Sequence, residues 1–381
     1  MKQAPFGLLL ILLAARGTTP PAAPPAKPLA ALTADELTRY NSGKALFGHT
    51  WSAAEGLGPY GTARGCSDCH NTEGNLAQRQ CYVIEAQLLA YGAPTLQSYD
   101  FRLPFNPNGT PENAEIPANV ANALAPLGKS VSVRRAKSVL GFGLVEAIAD
   151  ADILANLPNG GKACLVGGRV GRIGMKCQHV ALHETTAFAC NQDIGLTSAI
   201  YPAEPSLYND PATLEPNANP GINITDAQIQ TMTDFVRYSG SPSQTTTWNT
   251  SVMNGWAVFQ QLGCAVCHVR AYVTHSDDPA LDGLTIYPYS DFLLHDMGAN
   301  ADHVQQGSDQ NGQPLPANHM RTAPLWGLRY NNQLWHDGLT KAGDYATAIK
   351  KHTGAAQSSQ DAYNKLTAKD RNYLTAFLNA L

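Results

Sequence analysis

Charged residues are scarce in this chain, and basic residues are not in excess. Of its 381 residues only 15% are charged, 44% are hydrophobic, and the formal net charge is −4. So little charge beside so much apolar content excludes an intrinsically disordered chain. The lack of a basic excess leaves binding to nucleic acid or to an anionic membrane surface without electrostatic support. The length suits one large domain or two to three smaller ones.

Hydrophobic runs long enough to cross a bilayer are also lacking. The N-terminal run, Phe6 to Ala15, has ten residues, about half of the roughly 20 that a transmembrane helix needs. It follows Lys2 and precedes small residues and prolines up to Pro28, which is the pattern of an export signal. We interpret residues 1–28 as a signal peptide with a Pro/Ala-rich mature start. The prediction is a periplasmic protein without stable membrane insertion, and an uncleaved anchor is the alternative.

Sustained alternation of apolar and polar residues, the pattern of a large sheet, is missing as well. The chain has 33 glycines and 25 prolines, which indicates long loops between the packed elements. We therefore predict a mainly α fold. One long helix is expected over Ser138 to Leu157, although Gly141 and Gly143 weaken its start.

Two diverged copies of one pattern are present. The segments are Gly43-Lys-Ala-Leu-Phe47 before Gly65-Cys-Ser-Asp-Cys-His70, and Gly255-Trp-Ala-Val-Phe259 before Gly263-Cys-Ala-Val-Cys-His268. Downstream, Thr225 and Thr367 are predicted N-caps of a helix that closes each copy. The polar stretch Ser239 to Thr250 is the expected linker. We place the two domains at residues 29–240 and 241–381.

Cys-x-x-Cys-His is the pattern of c-type haem attachment. The six residues are Cys66, Cys69 and His70, then Cys264, Cys267 and His268. Two thiols add to the two vinyl groups of one haem, and the adjacent histidine reaches the iron. A redox dithiol or a zinc site is the alternative for a single motif, but zinc would need further ligands recurring in both copies. We predict two covalently bound c-type haems in two cytochrome c-like domains with long loops.

Further motifs are similar to those of a known family. They are, in order, Gly141-Phe-Gly143-Leu-Val-Glu146-Ala147-Ile148, Gly171-Arg-Ile-Gly174, Pro288-Tyr289-Ser-Asp291-Phe-Leu-Leu-His295-Asp296-Met297-Gly298, Arg321-Thr-Ala-Pro324-Leu-Trp326-Gly327-Leu328, Trp335-His336-Asp337-Gly338 and Ala348-Ile349-Lys-Lys-His352-Thr-Gly354. Together they resemble the bacterial di-haem oxidoreductase family, also called thiol oxidoreductases. That family is distantly similar to di-haem cytochrome c peroxidases. One departure is the lack of a tryptophan between Trp51 and Trp248, where the peroxidases have an inter-haem tryptophan.

The resemblance implies roles for particular residues. In the wider peroxidase group, an aromatic-His-Asp-Gly motif precedes the sixth ligand of the second haem, and the matching position here is His352. A haem held by His268 and His352 is closed and suited to relaying electrons. The same group places a glutamate on the open side of the first haem, and Glu146 is the matching carboxylate for proton transfer. The alternatives are a helix-end histidine at His352 and a helix-terminus or ion-pair role for Glu146. Trp326 is expected near the haems or in the core.

Four cysteines and nine histidines lie outside the attachment motifs. The cysteines are Cys81, Cys164, Cys177 and Cys190, and the histidines are His49, His179, His183, His275, His295, His303, His319, His336 and His352. In an oxidising compartment we expect at least one disulfide among Cys164, Cys177 and Cys190. His179 and His183 are expected on one helix face. If His352 is not the sixth ligand of the second haem, the next candidates for that role are His295, Met297 and His336. Met175 is a further possible thioether ligand.

The sequence favours a periplasmic di-haem c-type oxidoreductase of peroxidase-like type. The first haem would react and the second would relay electrons. A di-haem electron-transfer cytochrome without catalytic turnover is the competing class, and an assembly or iron-uptake accessory protein is a third. The expected partners are a periplasmic electron donor or acceptor protein and a small oxidant such as peroxide. A calcium ion between the domains has no support in the sequence.

Overall fold

The computed structural model describes most of the chain from residue 25 onward. The described residues are 21, 25–58, 63–70, 80–85, 101–102, 130–203, 220–242, 244–245, 247–331 and 333–381. The predicted signal peptide lies almost wholly outside them, as does the side chain of Cys81. No helix within these ranges is both long enough and apolar enough to cross a membrane.

Ten α-helices are described. They are α1 Ala34–Phe47, α2 Cys66–His70, α3 Phe142–Glu146, α4 Asp150–Leu154, α5 Leu182–Ala189, α6 Asp226–Tyr238, α7 Thr250–Gln261, α8 Tyr345–Lys350, α9 Gln357–Asn364 and α10 Ala368–Leu378. The predicted caps are confirmed, because the side chains of Thr225 and Thr367 accept the N–H groups of Gln228 and Asp370. Between α6 and α7 the described residues hold only one isolated bridge, of Ser239 with Pro28.

The strands are short. They are β1 Gln80–Glu85, β2 Phe101–Arg102, β3 Ser130–Arg135, β4 Leu165–Val166, β5 Arg169–Val170, β6 Tyr272–Val273, β7 Thr285–Ile286, β8 Leu294–Asp296, β9 His319–Arg321, β10 Gln333–Leu334 and β11 Thr340–Lys341. Within the described ranges, one antiparallel sheet has the order β2-β1-β3, and the other strands form two-stranded pairs. The fold is therefore helix-rich with few short strands, as predicted.

The two copies of the repeat use the same helix crossing. In the first, α1 packs on α6, and in the second, α7 packs on α10. A Cβ on Gly43 would lie well inside 3.0 Å of the carbonyl oxygen of Thr231, and a Cβ on Gly255 would do the same at Tyr373. Only glycine lets the backbones approach this closely. The repeated glycine therefore marks the contact between the opening and closing helices of each copy.

The single long helix expected over Ser138 to Leu157 is wrong. The structure has α3 and α4 separated by Ile148, which forms an isolated bridge with Thr274. The N–H of His275 also donates to the carbonyl of Ala147 at 2.6 Å. These backbone hydrogen bonds to the C-terminal half replace the helical ones that one continuous helix would make.

The largest cluster of buried apolar residues contains members of both predicted domains. Leu144 and Phe235 of the N-terminal half are in it, together with Phe292 and Trp326 of the C-terminal half. A second cluster lies wholly in the C-terminal half, around Phe259 and Phe377. The two halves thus share one core.

Candidate haem sites

The histidine of each attachment motif packs against a phenylalanine in the last turn of the opening helix of its copy. The ring centroids of Phe47 and His70 lie 6.1 Å apart, and those of Phe259 and His268 lie 6.0 Å apart. The same phenylalanines lie 5.0 Å and 5.2 Å from a phenylalanine of the closing helix. The two Cys-x-x-Cys-His motifs therefore have equivalent surroundings.

In the second site, His352 faces His268 with ring centroids 6.5 Å apart. Imidazole nitrogens bind a metal at about 2 Å, so two rings on opposite sides of one ion have centroids roughly 6 Å apart. Nδ1 of His268 bonds to the carbonyl of Tyr289 at 2.8 Å, and Nδ1 of His352 to that of Ala348 at 2.9 Å. These bonds orient the rings and leave each Nε2 for a metal. The residues present fit a haem iron held between two histidines.

Both histidines are enclosed by protein. Burial lowers the pKa of His268 to about 4 and also lowers the pKa of His352. The neutral imidazole, which is the form that binds a metal, is therefore present at neutral pH. Each side chain nevertheless keeps some accessible surface. The two rings are therefore desolvated without being fully enclosed.

The segment Pro288 to Asp291 lies directly against the second attachment motif. Besides the bond from Tyr289 to the ligand ring, the N–H of Asp291 donates to the carbonyl of Cys267 at 2.8 Å. The N–H of Ser290 donates to the carbonyl of Val269 at 2.9 Å. This part of the family pattern therefore positions the attachment motif and its histidine.

Three other motif segments meet around His352. The carbonyl of Asn300 accepts from Nε1 of Trp335 at 3.2 Å and bonds Nε2 of His336 at 3.0 Å. Thr353 donates to the carbonyl of Met297 at 2.6 Å, and the ring of Trp335 stands edge-on to that of His352 at 5.1 Å. The predicted alternatives His336 and Met297 thus lie near His352, and the hydrogen bonds described here join each of them to a neighbouring segment.

Cys267 also contacts a buried pair of an aspartate and a histidine. The sequence analysis did not predict that these two residues interact. Nδ1 of His295 lies 3.7 Å from Sγ of Cys267, and its Nε2 lies 2.7 Å from a carboxylate oxygen of Asp291. Burial alone would lower the pKa of His295, but the bonds to Asp291 and Cys267 outweigh it and raise the pKa to about 10. The spacing of Asp291 and His295, four apart within one motif, is the signal that could have shown this pair.

The same three residues could hold a metal ion, because one ligand atom from each lies within 4.8 Å of the others. Three ligands fall short of the four that a structural zinc site takes. Cys267 also belongs to an attachment motif whose histidine already faces a second histidine. We therefore assign Cys267 to the haem site.

The first site is built from α2 and α6. Sγ of Cys66 lies 3.9 Å from Sδ of the buried Met232. Burial raises the pKa of the Cys66 thiol, with Cys190 as a second cause. Cys69 and His70 are half-buried on the same short helix. The buried methionine beside Cys66 is a further residue that the sequence analysis did not single out.

Glu146 ends α3 and contacts two neighbouring helices. One oxygen accepts the N–H of Leu182, the first residue of α5, at 2.7 Å, and the other lies 3.3 Å from Nε of Arg237 on α6. Gly143, one turn earlier, allows this approach, because a Cβ there would overlap the backbone of Arg237. These are the helix-terminus and ion-pair contacts of the alternative interpretation, and the catalytic role stays a prediction.

Two smaller expectations are corrected. Cys164, Cys177 and Cys190 are buried free thiols, so the predicted disulfide among them is not formed, although Cys164 and Cys177 share one small apolar cluster. His179 precedes α5 and forms an isolated bridge with Ile173, so it does not share a helix face with His183. Trp326 lies in the core shared by the two halves.

Two attachment motifs, the second with a facing pair of histidines, in a helix-rich fold are the features of a haem protein. The family model described as di-haem oxidoreductase, putative peroxidase, matches residues 159–381. The chain belongs to this di-haem oxidoreductase family, which confirms the resemblance seen in its motifs and implies haem cofactors. Covalent attachment through the cysteines stays a prediction.

Two other comparisons were made. No curated protein matches the chain. Among solved structures, hydrazine synthase of Kuenenia stuttgartiensis, pressurized with 20 bar xenon, is 14% identical with a TM-score of 0.42, and the match covers 100% of both chains.

Proposed function

We propose that the chain is a periplasmic di-haem c-type oxidoreductase with peroxidase-like activity, built from two cytochrome c-like domains. Cys66, Cys69 and His70 would attach the reactive haem. The second haem, attached by Cys264 and Cys267 and held by two histidines, would relay electrons. The expected partners are a periplasmic electron donor or acceptor protein and a small oxidant such as peroxide.

The observation that supports this division is the pair His268 and His352. An iron with two protein ligands stores and passes electrons, whereas an iron with an open position can bind a small oxidant. The chain places a second imidazole opposite His268, with both rings held by backbone carbonyls. In the N-terminal half, Glu146 is the carboxylate proposed to move protons, and its bonds to Leu182 and Arg237 fix its position.

The test begins with the number of haems and their spin states. A pyridine haemochrome assay should count two haems per chain, and the colour should stay with the protein after acid–acetone extraction. The EPR spectrum of the oxidised protein should contain one high-spin and one low-spin component. One haem or none would contradict the assignment. Two low-spin haems without peroxide turnover, even after partial reduction, would show an electron-transfer cytochrome instead.

The ligand assignment is tested by His352→Ala. This variant should lose the low-spin EPR signal and gain high-spin signal, because the iron opposite His268 loses one ligand. The matched control is His336→Ala, which removes a neighbouring half-buried histidine bonded to the carbonyl of Asn300. It should keep the low-spin signal. The assignment of His352 fails if the two variants show the reverse pattern.

The proposed compartment rests on the N-terminal run at Phe6 to Ala15 and on thioether attachment, which suits an exported protein. Cell fractionation should place the mature chain, shortened at its N-terminus, in the periplasm. A full-length chain retained in the cytoplasm would refute this proposal.

A further inference from the structure

Two enclosed cations have no carboxylate within ion-pair distance in the part of the chain that the structure describes. Nζ of Lys137 donates to the carbonyl of Trp335 at 2.8 Å. Nη1 of Arg321 donates to the carbonyl of Arg172 at 2.8 Å, and its guanidinium lies 5.5 Å from the ring of Phe142. Nε of Arg321 is buried and has no hydrogen-bond partner among the described residues.

Other buried cations nearby are neutralised. Arg172 forms an ion pair with Asp150. Arg134 and Lys176 both bind Asp302, at 2.6 Å and 2.7 Å. A buried charge is costly unless a counter-charge is close. Lys137 and Arg321 therefore differ from these three cations, and no described carboxylate within ion-pair distance neutralises them.

The charge of Arg321 also acts on Lys137. The pKa of Lys137 is lowered to about 7, chiefly by burial and then by the charges of Arg135 and Arg321, while Asp337 opposes them. Burial lowers the pKa of Arg321 as well. Both side chains nevertheless keep some accessible surface.

Their position relates this positive charge to the second haem site. Lys137 contacts Trp335, whose ring stands edge-on to His352. Arg321 lies on β9, which pairs with β8, and β8 carries His295, the neighbour of the second attachment cysteine. Lys137 is therefore linked to the sixth-ligand side of the site through Trp335, and Arg321 lies on the strand beside the one that carries His295.

We propose that Lys137 and Arg321 bind the two carboxylates of the haem held by His268 and His352. A haem carries two such groups, and each must be neutralised when the haem is buried. A guanidinium can bind a carboxylate with two parallel hydrogen bonds, and an ammonium binds it as a compact point charge. This inference rests on the proposed haem site and assigns to it two residues outside the attachment motifs.

The test is the reduction potential of the low-spin haem in Lys137→Met and Arg321→Gln, measured by spectroelectrochemical titration of the haem-loaded protein. Loss of a cation beside the haem carboxylates disfavours the added electron. At a fixed potential, the ratio of reduced to oxidised haem should fall about tenfold in either variant, which is ~59 mV for one electron. Lys137→Arg, which keeps the charge, should restore most of the potential.

The control is Arg169→Gln, because Arg169 is an exposed cation that already has Asp150 as its partner. This variant should leave the ratio of reduced to oxidised haem unchanged. If Arg321→Gln does not fold, Lys137→Met decides alone, since its one hydrogen bond is to a backbone carbonyl. A potential in Lys137→Met equal to that of the wild type would overturn the proposal.

Two further outcomes separate this inference from the function on which it rests. If His352→Ala abolishes the low-spin signal and Lys137→Met leaves the potential unchanged, the haem site stands and the carboxylate contact is refuted. If inorganic phosphate shifts the wild-type spectrum and the shift disappears in Lys137→Met, the cations bind a free anion, which also refutes the contact. A protein with no second haem refutes both.

Discussion

Replacing Gly255 with alanine would force apart the two helices that enclose the second site. The added Cβ would lie 2.7 Å from Cβ of Phe377 and closer still to the carbonyl oxygen of Tyr373, whereas ordinary contact begins at 3.4 Å. Because the nearest atom belongs to the backbone, no side-chain rotation relieves the overlap. Helix α10 must retreat by about 1 Å, the scale at which a packed core resists change.

The expected cost follows from two opposing effects. Overpacking of a core costs about 1–3 kcal/mol, and alanine in a helix regains about 1 kcal/mol over glycine. The difference is a net loss of up to about 2 kcal/mol in the free energy of unfolding. Retreat of α10 also moves Phe377 away from Phe259, the ring that packs against His268. The low-spin EPR signal should therefore broaden or shift.

The assay is urea unfolding followed by circular dichroism, together with EPR of the oxidised protein. Gly43→Ala is the matched variant, since Gly43 holds the same position in the first copy, and it should disturb the high-spin signal instead. Met253→Ala on the exposed side of α7 is the control and should change neither measurement. Unaltered unfolding and unaltered EPR in Gly255→Ala would refute the proposed link between the helix crossing and the haem.

Two further predictions concern carboxylates. Glu146→Gln should lower peroxide turnover by about 10²–10⁴-fold. The control is Glu184→Gln, which removes a carboxylate bonded to His179 and should not lower turnover. Equal rates in the two variants would leave Glu146 with only its structural contacts. For Asp302, burial raises the pKa, but the charges of Arg134 and Lys176 outweigh it and hold the pKa below its ordinary value. The carboxylate therefore contributes stability above about pH 4, which is lost as the pH falls through the folded-state pKa. Asp302→Asn should cost about 3–5 kcal/mol at pH 7, and urea unfolding should show the difference shrinking below about pH 4; a difference that does not depend on pH would contradict this.

Local features of this protein were predictable from the chain alone. The N-caps at Thr225 and Thr367 need partners only three residues away, so sequence spacing determines them. Two glycines at equivalent positions helped to mark the repeat, and the ordered motifs predicted the family. The role of His352 came from that resemblance, and the structure adds the ring of His268 opposite it.

Other features depended on contacts between distant parts of the chain. The expected helix over Ser138 to Leu157 is interrupted where Ile148 bridges Thr274 of the other half and the carbonyl of Ala147 accepts the N–H of His275. Lys137 lies in no motif and Arg321 only opens one, and the fold shows that neither has a carboxylate within ion-pair distance among the described residues. Spacing along the chain determines local hydrogen bonds, such as those between an N-cap side chain and the backbone three residues later. The tertiary structure decides how deeply a charge is buried, and so what its burial costs. It also decides which distant segment comes close to a histidine, and so which residue is its partner.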